Sequence, residues 1–176
     1  WARGRGGFGG ALGLIFAFCG CFGWGGVGVR EGFGVVFGCY GILNTCNEIN
    51  QGLYGGICTE MYYAKAITYI CNKIDQPSFF VFSNEIDWVK NNVDIPNPTY
   101  IDFNNGADSW QDMFLMSQCK HNIIANSSFS WWGAWLNSGQ EKLVIAPKKW
   151  FNNHEINDIV CESWIKIDSQ GEIWRY

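Results

Sequence analysis

From Ile57 onward the apolar residues of this chain alternate between helical spacing and short unbroken runs. In "TEMYYAKAITYICNKI", Tyr63, Ala66, Ile67, Ile70 and Ile74 fall on one helical face. Thr59 stands where an N-cap belongs, and Pro77 closes the segment. "SFFVFS" is a wholly apolar run, which suits a strand buried on both faces. Ser83 is expected to cap the next helix, "NEIDWVKNN". "PTYIDF" reads as a second strand ended by the turn "NNG", and Asp108 as the cap of the helix "SWQDMFLMSQC". "NIIA" is a third strand, followed by a helix over Phe129 to Asn137 that Gly139 should end. "KLVIAP" is a fourth strand stopped by Pro147, and "ESWIKI" offers a fifth. Short apolar strands alternating with helices predict βαβ units, hence an α/β fold with a parallel, Rossmann-like sheet flanked by helices.

The start of the chain does not follow this rhythm. Residues 1–41 carry 15 of the 22 glycines, and no charged residue occurs from Gly6 to Val29. On length that stretch could serve as a membrane span or signal anchor. Its glycines and its lack of long aliphatic runs argue against this, because glycine loses the most backbone entropy on ordering and buries no side chain. Two regions are therefore expected: an atypical Gly-rich segment over residues 1–50 and a Rossmann-like domain over 51–176.

Composition narrows the function classes. The net charge is −4 with no basic run, so a nucleic-acid partner is not expected. Eight cysteines occur without any C-x-x-C pair, and the two histidines, His121 and His154, are far apart. That pattern does not suggest a zinc site. Buried thiols in a reducing compartment fit better, so the expected location is cytoplasmic, with peripheral membrane association allowed by the apolar N-terminal stretch. Ten tryptophans are a heavy load. Aromatics mostly fill cores, but they also line sugar-binding clefts.

In parallel sheets ligands bind outside the carboxyl ends of the strands. That edge would gather Ser83, Asn84 and Glu85 after the first run, Asn104 and Asn105 after the second, Asn126 to Ser130 after the third, and Pro147 and Lys148 after the fourth. The stretch "HNIIANSSFSWWGAW" is the most suggestive of these. A strand, then small polar residues, then a helix start makes a phosphate cradle, because exposed N–H groups and the positive helix end favour an anion. Ser127 or Ser130 could equally be no more than a helix cap. No glycine-rich P-loop accompanies them.

The run "DMFLMSQCKHNIIANSSFSWWGAWLN", followed by "VIAPKKWF", resembles glycosyltransferase family 11, the α-1,2-fucosyltransferases. "GICTEMYYAKAITYI" and "FFVFSNEIDWVK" resemble the segments that precede it there, so the likeness runs from about Gly56 to Phe151. It implies the donor-binding half of a GT-B-type enzyme that transfers L-fucose, with inversion, from GDP-fucose to the 2-hydroxyl of a terminal galactose. It implies GDP-fucose and a galactose-terminated glycan as partners, and no metal or other cofactor. By the same resemblance Ser128, Phe129 and Ser130 lie against the diphosphate, and Asp112 accepts hydrogen bonds from guanine. Asn126, Ser127, Trp131, Ser83 and Arg30 complete the donor-binding set.

The family's H-x-R-R-x-D signature has only a faint counterpart in "VGVREGFG". Arg30 keeps the first arginine there, while Gly28, Glu31 and Phe33 stand at the other signature positions. No catalytic base is assigned. Two other readings stay open: a non-catalytic module that still binds a GDP-sugar, and a membrane-anchored, aromatic-rich carbohydrate-binding protein.

Overall fold

A computed structural model describes the backbone of residues 34–39 and the residues 52–104, 106–153 and 158–174. These contribute seven strands to one sheet. They are β1 (Gly34–Cys39), β2 (Ser78–Ser83), β3 (Pro98–Ile101), β4 (His121–Ile124), β5 (Val144–Pro147), β6 (Ile165–Ile167) and β7 (Ile173–Trp174). The helices are α1 (Glu60–Cys71), α2 (Ile86–Asn92), α3 (Trp110–Gln118) and α4 (Ser128–Leu136).

The sheet order is β3-β2-β1-β4-β5-β6-β7, with every pairing parallel except the last. The expected α/β architecture is present, and its first six strands follow the doubly wound order 3-2-1-4-5-6. The order reverses between β1 and β4, whose register pairs Val35 with His121 and Gly38 with Ile124. β1 therefore lies at the centre of the sheet, within the stretch that sequence reading set aside as atypical. β7 also escaped that reading.

Strand parity explains the two cores. Phe79, Val81, Ile123, Ile145 and Ile167 share a cluster with residues of α1 and α2. Their neighbours one residue along belong to clusters containing α3 and α4: Phe80 and Phe82 with Met116, and Ile124, Val144 and Ala146 with Ala134 and Trp131. Alternate residues point to opposite faces, so runs apolar at every position must be covered on both sides. On the α3–α4 side, the two helices cross closely at Gly133. A Cβ there would lie 2.7 Å from the Met116 Cβ. Alanine at that position would force the helices apart, an overpacking of about 1–3 kcal/mol.

Three expected helix signals differ in the structure. Ser83 does not cap α2; its Oγ accepts from the Glu85 N–H at 3.0 Å, a local turn that brings the chain off β2. Asp108 lies in a 3-10 turn, Gly106–Asp108, and accepts from the Gln111 side chain at 3.2 Å. The N-cap of α3 is Ser109, which makes no side-chain cap bond. Finally, α4 ends at Asn137 and not at a left-handed Gly139; the Asn137 Oδ1 accepts from the Gly139 N–H at 2.9 Å. The Lys142 ammonium donates to the carbonyls of Ala134 and Asn137 at the same helix end.

Candidate functional site

The carboxyl ends of β2 to β6 meet four connecting segments, and Asn126 is the knot that ties three of them. It follows β4 and is 6% exposed. Its Nδ2 donates to the carbonyls of Tyr54, at 3.2 Å, and Trp150, at 3.3 Å, while its Oδ1 accepts from the Cys58 thiol at 3.4 Å. Asn152 makes the same kind of tie, donating to Gly52 and Gly55 at 3.0 Å each, and the Tyr54 and Phe151 rings pack 5.2 Å apart. The segments before α1, after β4 and after β5 are thus held as one rim. Asn126 is a member of the expected site, and its side chain is committed to building it.

Next along the chain, Ser127 has the extended backbone of an N-cap, φ −128° and ψ 128°, yet its side chain caps nothing. Ser128, the first residue of α4, is exposed. The Ser127 side chain thus leaves the start of α4 uncapped at the carboxyl edge of the sheet, beside an exposed hydroxyl. This is an anion-binding geometry. Phe129 is half-buried against the cluster of Phe82, Ile101 and Met116, so it forms the wall of the rim above β2 and β3.

Ser130 and Trp131 belong to the frame. Ser130 is 1% exposed, and its hydroxyl lies 3.1 Å from the Ser127 carbonyl and 3.3 Å from that of Ala125. A serine has one proton to give, and here the backbone takes it. Trp131 donates its indole N–H to the Ile159 carbonyl at 2.8 Å, stacks on Trp135 at 5.1 Å and tilts against Trp164 at 5.7 Å. Both belong to the expected donor-binding set, with a capping role left open for Ser130 and a core place expected for at least one of Trp131 and Trp132; the observed packing makes them supports for the turn that carries Ser128.

Asp112 is buried at 5% exposure in the first turn of α3. Its Oδ1 accepts from the Asn104 Nδ2 at 2.7 Å. A carboxylate at this position can only accept, so it fixes which way the amide faces and turns the Asn104 oxygen toward other donors. Sequence reading placed Asn104 on the edge but did not join it to Asp112. After β2, Glu85 has its Oε2 buried and without a hydrogen-bond partner. Asn105 and Arg30 lie outside the described residues, and so does everything before Gly34.

At the far end of β4, His121 is buried and accepts from the Leu143 N–H at 3.0 Å through Nδ1. Burial, and then the Lys120 charge, lower its pKa, so the ring is held neutral. The Cys119 thiol is pushed up to about 12 by burial. The four described cysteines are free thiols. Among the described residues no cluster of three His, Cys, Asp or Glu side chains could hold a metal, and no helix is long and apolar enough to cross a membrane.

An O-antigen biosynthesis glycosyltransferase, WbnK, of Escherichia coli is 41% identical over 116 residues, which are 65% of this chain and 38% of the relative. An alpha-1,2-colitosyltransferase of the same species is 43% identical over 117 residues, 64% of this chain and 40% of the relative. The human galactoside alpha-(1,2)-fucosyltransferase 1 is 30% identical over 87 residues, 48% of this chain and 24% of the relative. The chain thus spans two fifths or less of these relatives' length. No solved structure matches it. The model of glycosyl transferase family 11 matches residues 47–168, a span that begins before α1 and ends at the turn after β6. On that match, the chain belongs to glycosyl transferase family 11.

Proposed function

We propose that this chain is the donor-binding half of a GT-B-type transferase. In this reading it takes GDP-fucose and serves transfer of L-fucose, with inversion, to the 2-hydroxyl of a terminal galactose. The observation that carries this is the uncapped start of α4 beside an exposed Ser128, at the carboxyl edge of a parallel sheet next to its order reversal. A helix N-terminus and a hydroxyl there suit a diphosphate. Ser128 donates to it, Phe129 walls the pocket, and Asn126, Ser130 and Trp131 hold the turn in place. Guanine presents adjacent N–H donors, and the Asn104 oxygen fixed by Asp112 supplies acceptor chemistry for them.

Transfer needs the departing GDP to be stabilised and the acceptor hydroxyl to lose its proton. The first requirement is met in this reading by protein donors, without metal. The base for the second is not assigned. A second donor sugar is favoured by a specific observation: the relative that is 43% identical is named a colitosyltransferase. GDP-colitose is therefore the alternative donor on the same site.

Incubation with GDP-fucose or GDP-colitose and a galactose-terminated disaccharide, with and without EDTA, tests the proposal. Chelator-insensitive transfer to the 2-hydroxyl supports it. Sugar transfer from UDP- or ADP-linked donors only, or a metal requirement, contradicts it.

A further inference from the structure

Away from the carboxyl edge, α4 ends on a concave feature of its own. A cavity of about 360 Å³ lies where α4 gives way to β5 and meets the residues before β6. The helix has nine residues, so the cavity lies about 12 Å from Ser128, at the amino edge of the sheet. Its volume is that of a small-ligand pocket. Asn137, Ser138, Gln140, Lys142, Ser163 and Trp164 contribute to its lining.

Two of these residues are committed to the frame. The Asn137 Nδ2 donates to the Cys119 carbonyl at 2.7 Å and to the Asn122 Oδ1 at 2.8 Å, and the Asn137 Oδ1 accepts from the Gly139 N–H. The Lys142 ammonium lies 2.6 Å from the Asn137 carbonyl, 3.0 Å from that of Ala134 and 3.5 Å from that of Trp135, one acceptor for each of its protons. The partial negative charge of the helix end offsets its charge. What remains of the lining is neutral. Ser138, Gln140 and Ser163 are exposed, and their side chains bond to none of the described residues. No charged residue occurs from Ser128 to Gln140.

A series of indoles leads outward from the lining. Trp164 is buried, Trp131 tilts against it at 5.7 Å, and Trp135 stacks on Trp131 at 5.1 Å with its plane only 10° away. Trp135 remains 52% exposed even though one of its faces lies on Trp131. Trp132 meets Trp131 edge-on at 5.1 Å and is 41% exposed. Packed rings held half in water form an apolar surface, and surfaces of that kind mark binding sites.

We propose that the end of α4 binds an uncharged oligosaccharide, with one sugar ring stacked on Trp135 and the hydroxyls of its neighbour held by Ser138, Gln140 and Ser163. A pyranose offers an apolar C–H face and a rim of hydroxyls that both donate and accept, and indole, amide and hydroxyl groups match those two features. A phosphate, a nucleic acid or a charged peptide would find no free ion to pair with on this wall. The site differs from the start of α4 in place and in ligand, so it does not depend on the donor reading.

Lacto-N-neotetraose and cellotetraose, both uncharged, are the probes. Affinity is read by calorimetry on the full chain, and the indole N–H resonance of Trp135, assigned through Trp135→Phe, places the sugar. At least one of the two should bind and shift that resonance to saturation. Trp135→Ala should weaken binding by about tenfold or more, the effect of truncating an aromatic anchor. Trp135→Phe, which keeps a ring, should weaken it less. Gln140→Ala should weaken it severalfold with the melting temperature unchanged. GDP should leave the sugar bound, and Ser128→Ala should bind it as the unmutated chain does. The proposal is overturned if neither sugar shifts the Trp135 resonance, if either folded alanine variant at Trp135 or Gln140 binds normally, or if GDP displaces the sugar. It is equally overturned if the resonance follows protein concentration and not sugar, which would make this face a contact between copies of the chain.

Discussion

Two helices begin on the carboxyl edge of the sheet behind a β-hydroxyl residue, and they use it differently. At α1 the Thr59 hydroxyl accepts from the Tyr62 N–H at 3.2 Å and donates to the Ser169 carbonyl at 2.6 Å. That start is closed, and its hydroxyl is fully spent on structure. At α4 the Ser127 side chain caps nothing, and the next residue, Ser128, leaves its hydroxyl exposed. Both residues satisfy the same sequence rule for a cap. The difference is between a helix start closed by its own N-cap side chain and one whose N-cap side chain leaves room for the anionic ligand proposed above.

The largest effect is expected where α4 is braced. Trp131→Ala removes an indole packed on Trp135 and Trp164 and breaks its bond to Ile159. It should cost roughly 3–5 kcal/mol in denaturant unfolding. A loss below about 1 kcal/mol would mean the tryptophan is not a support, and the ligand-facing expectation would return.

A direct way to break the comparison is to truncate both hydroxyls. Thr59→Ala should cost about 0.5–2 kcal/mol of stability, as lost caps do, while Ser127→Ala should cost close to nothing. Equal losses at the two positions would show that Ser127 closes α4 after all. The open start would then be withdrawn.

The smallest effect sharpens the contrast between the two ends of β4. His121 is held neutral by burial, so its pKa in the folded chain lies below the unfolded value of 6.5. The unfolded chain then takes up the proton first as pH falls. Stability should be at its full value above pH 6.5 and decline below it. His121→Gln should flatten that decline between pH 7 and pH 5, measured as unfolding free energy. An unchanged slope would show that His121 does not couple to folding.

Much of this frame is legible in the sequence, and the exceptions have physical causes. The apolar runs of β2, β4 and β5 and the cap at Thr59 announce themselves, because burial on two faces and local capping leave local signatures. β1 does not. "GVVFGC" sits among glycines, and its place at the centre of the sheet comes from pairing with β2 and β4, which are distant in the chain. The serines show a second kind of limit. Ser128 and Ser130 look alike in sequence, but only the fold decides that the Ser130 hydroxyl is buried against the Ser127 and Ala125 carbonyls. Asp112 with Asn104, and Lys148 with Trp174, are pairings that no motif records, since each depends on where two connections cross the same edge.

The central claim is that the start of α4 is a site for a nucleotide diphosphate and not a helix cap. Calorimetric titration of GDP and ADP into the unmutated chain and Ser128→Ala, with melting temperatures alongside, tests it most directly. GDP should bind more tightly than ADP. Ser128→Ala should lose about 1.5–3 kcal/mol of GDP affinity, the value of a hydrogen bond to a charged acceptor, with no change in melting temperature. Equal affinity for the two nucleotides, or a Ser128→Ala variant that binds GDP normally and melts earlier, would contradict the account.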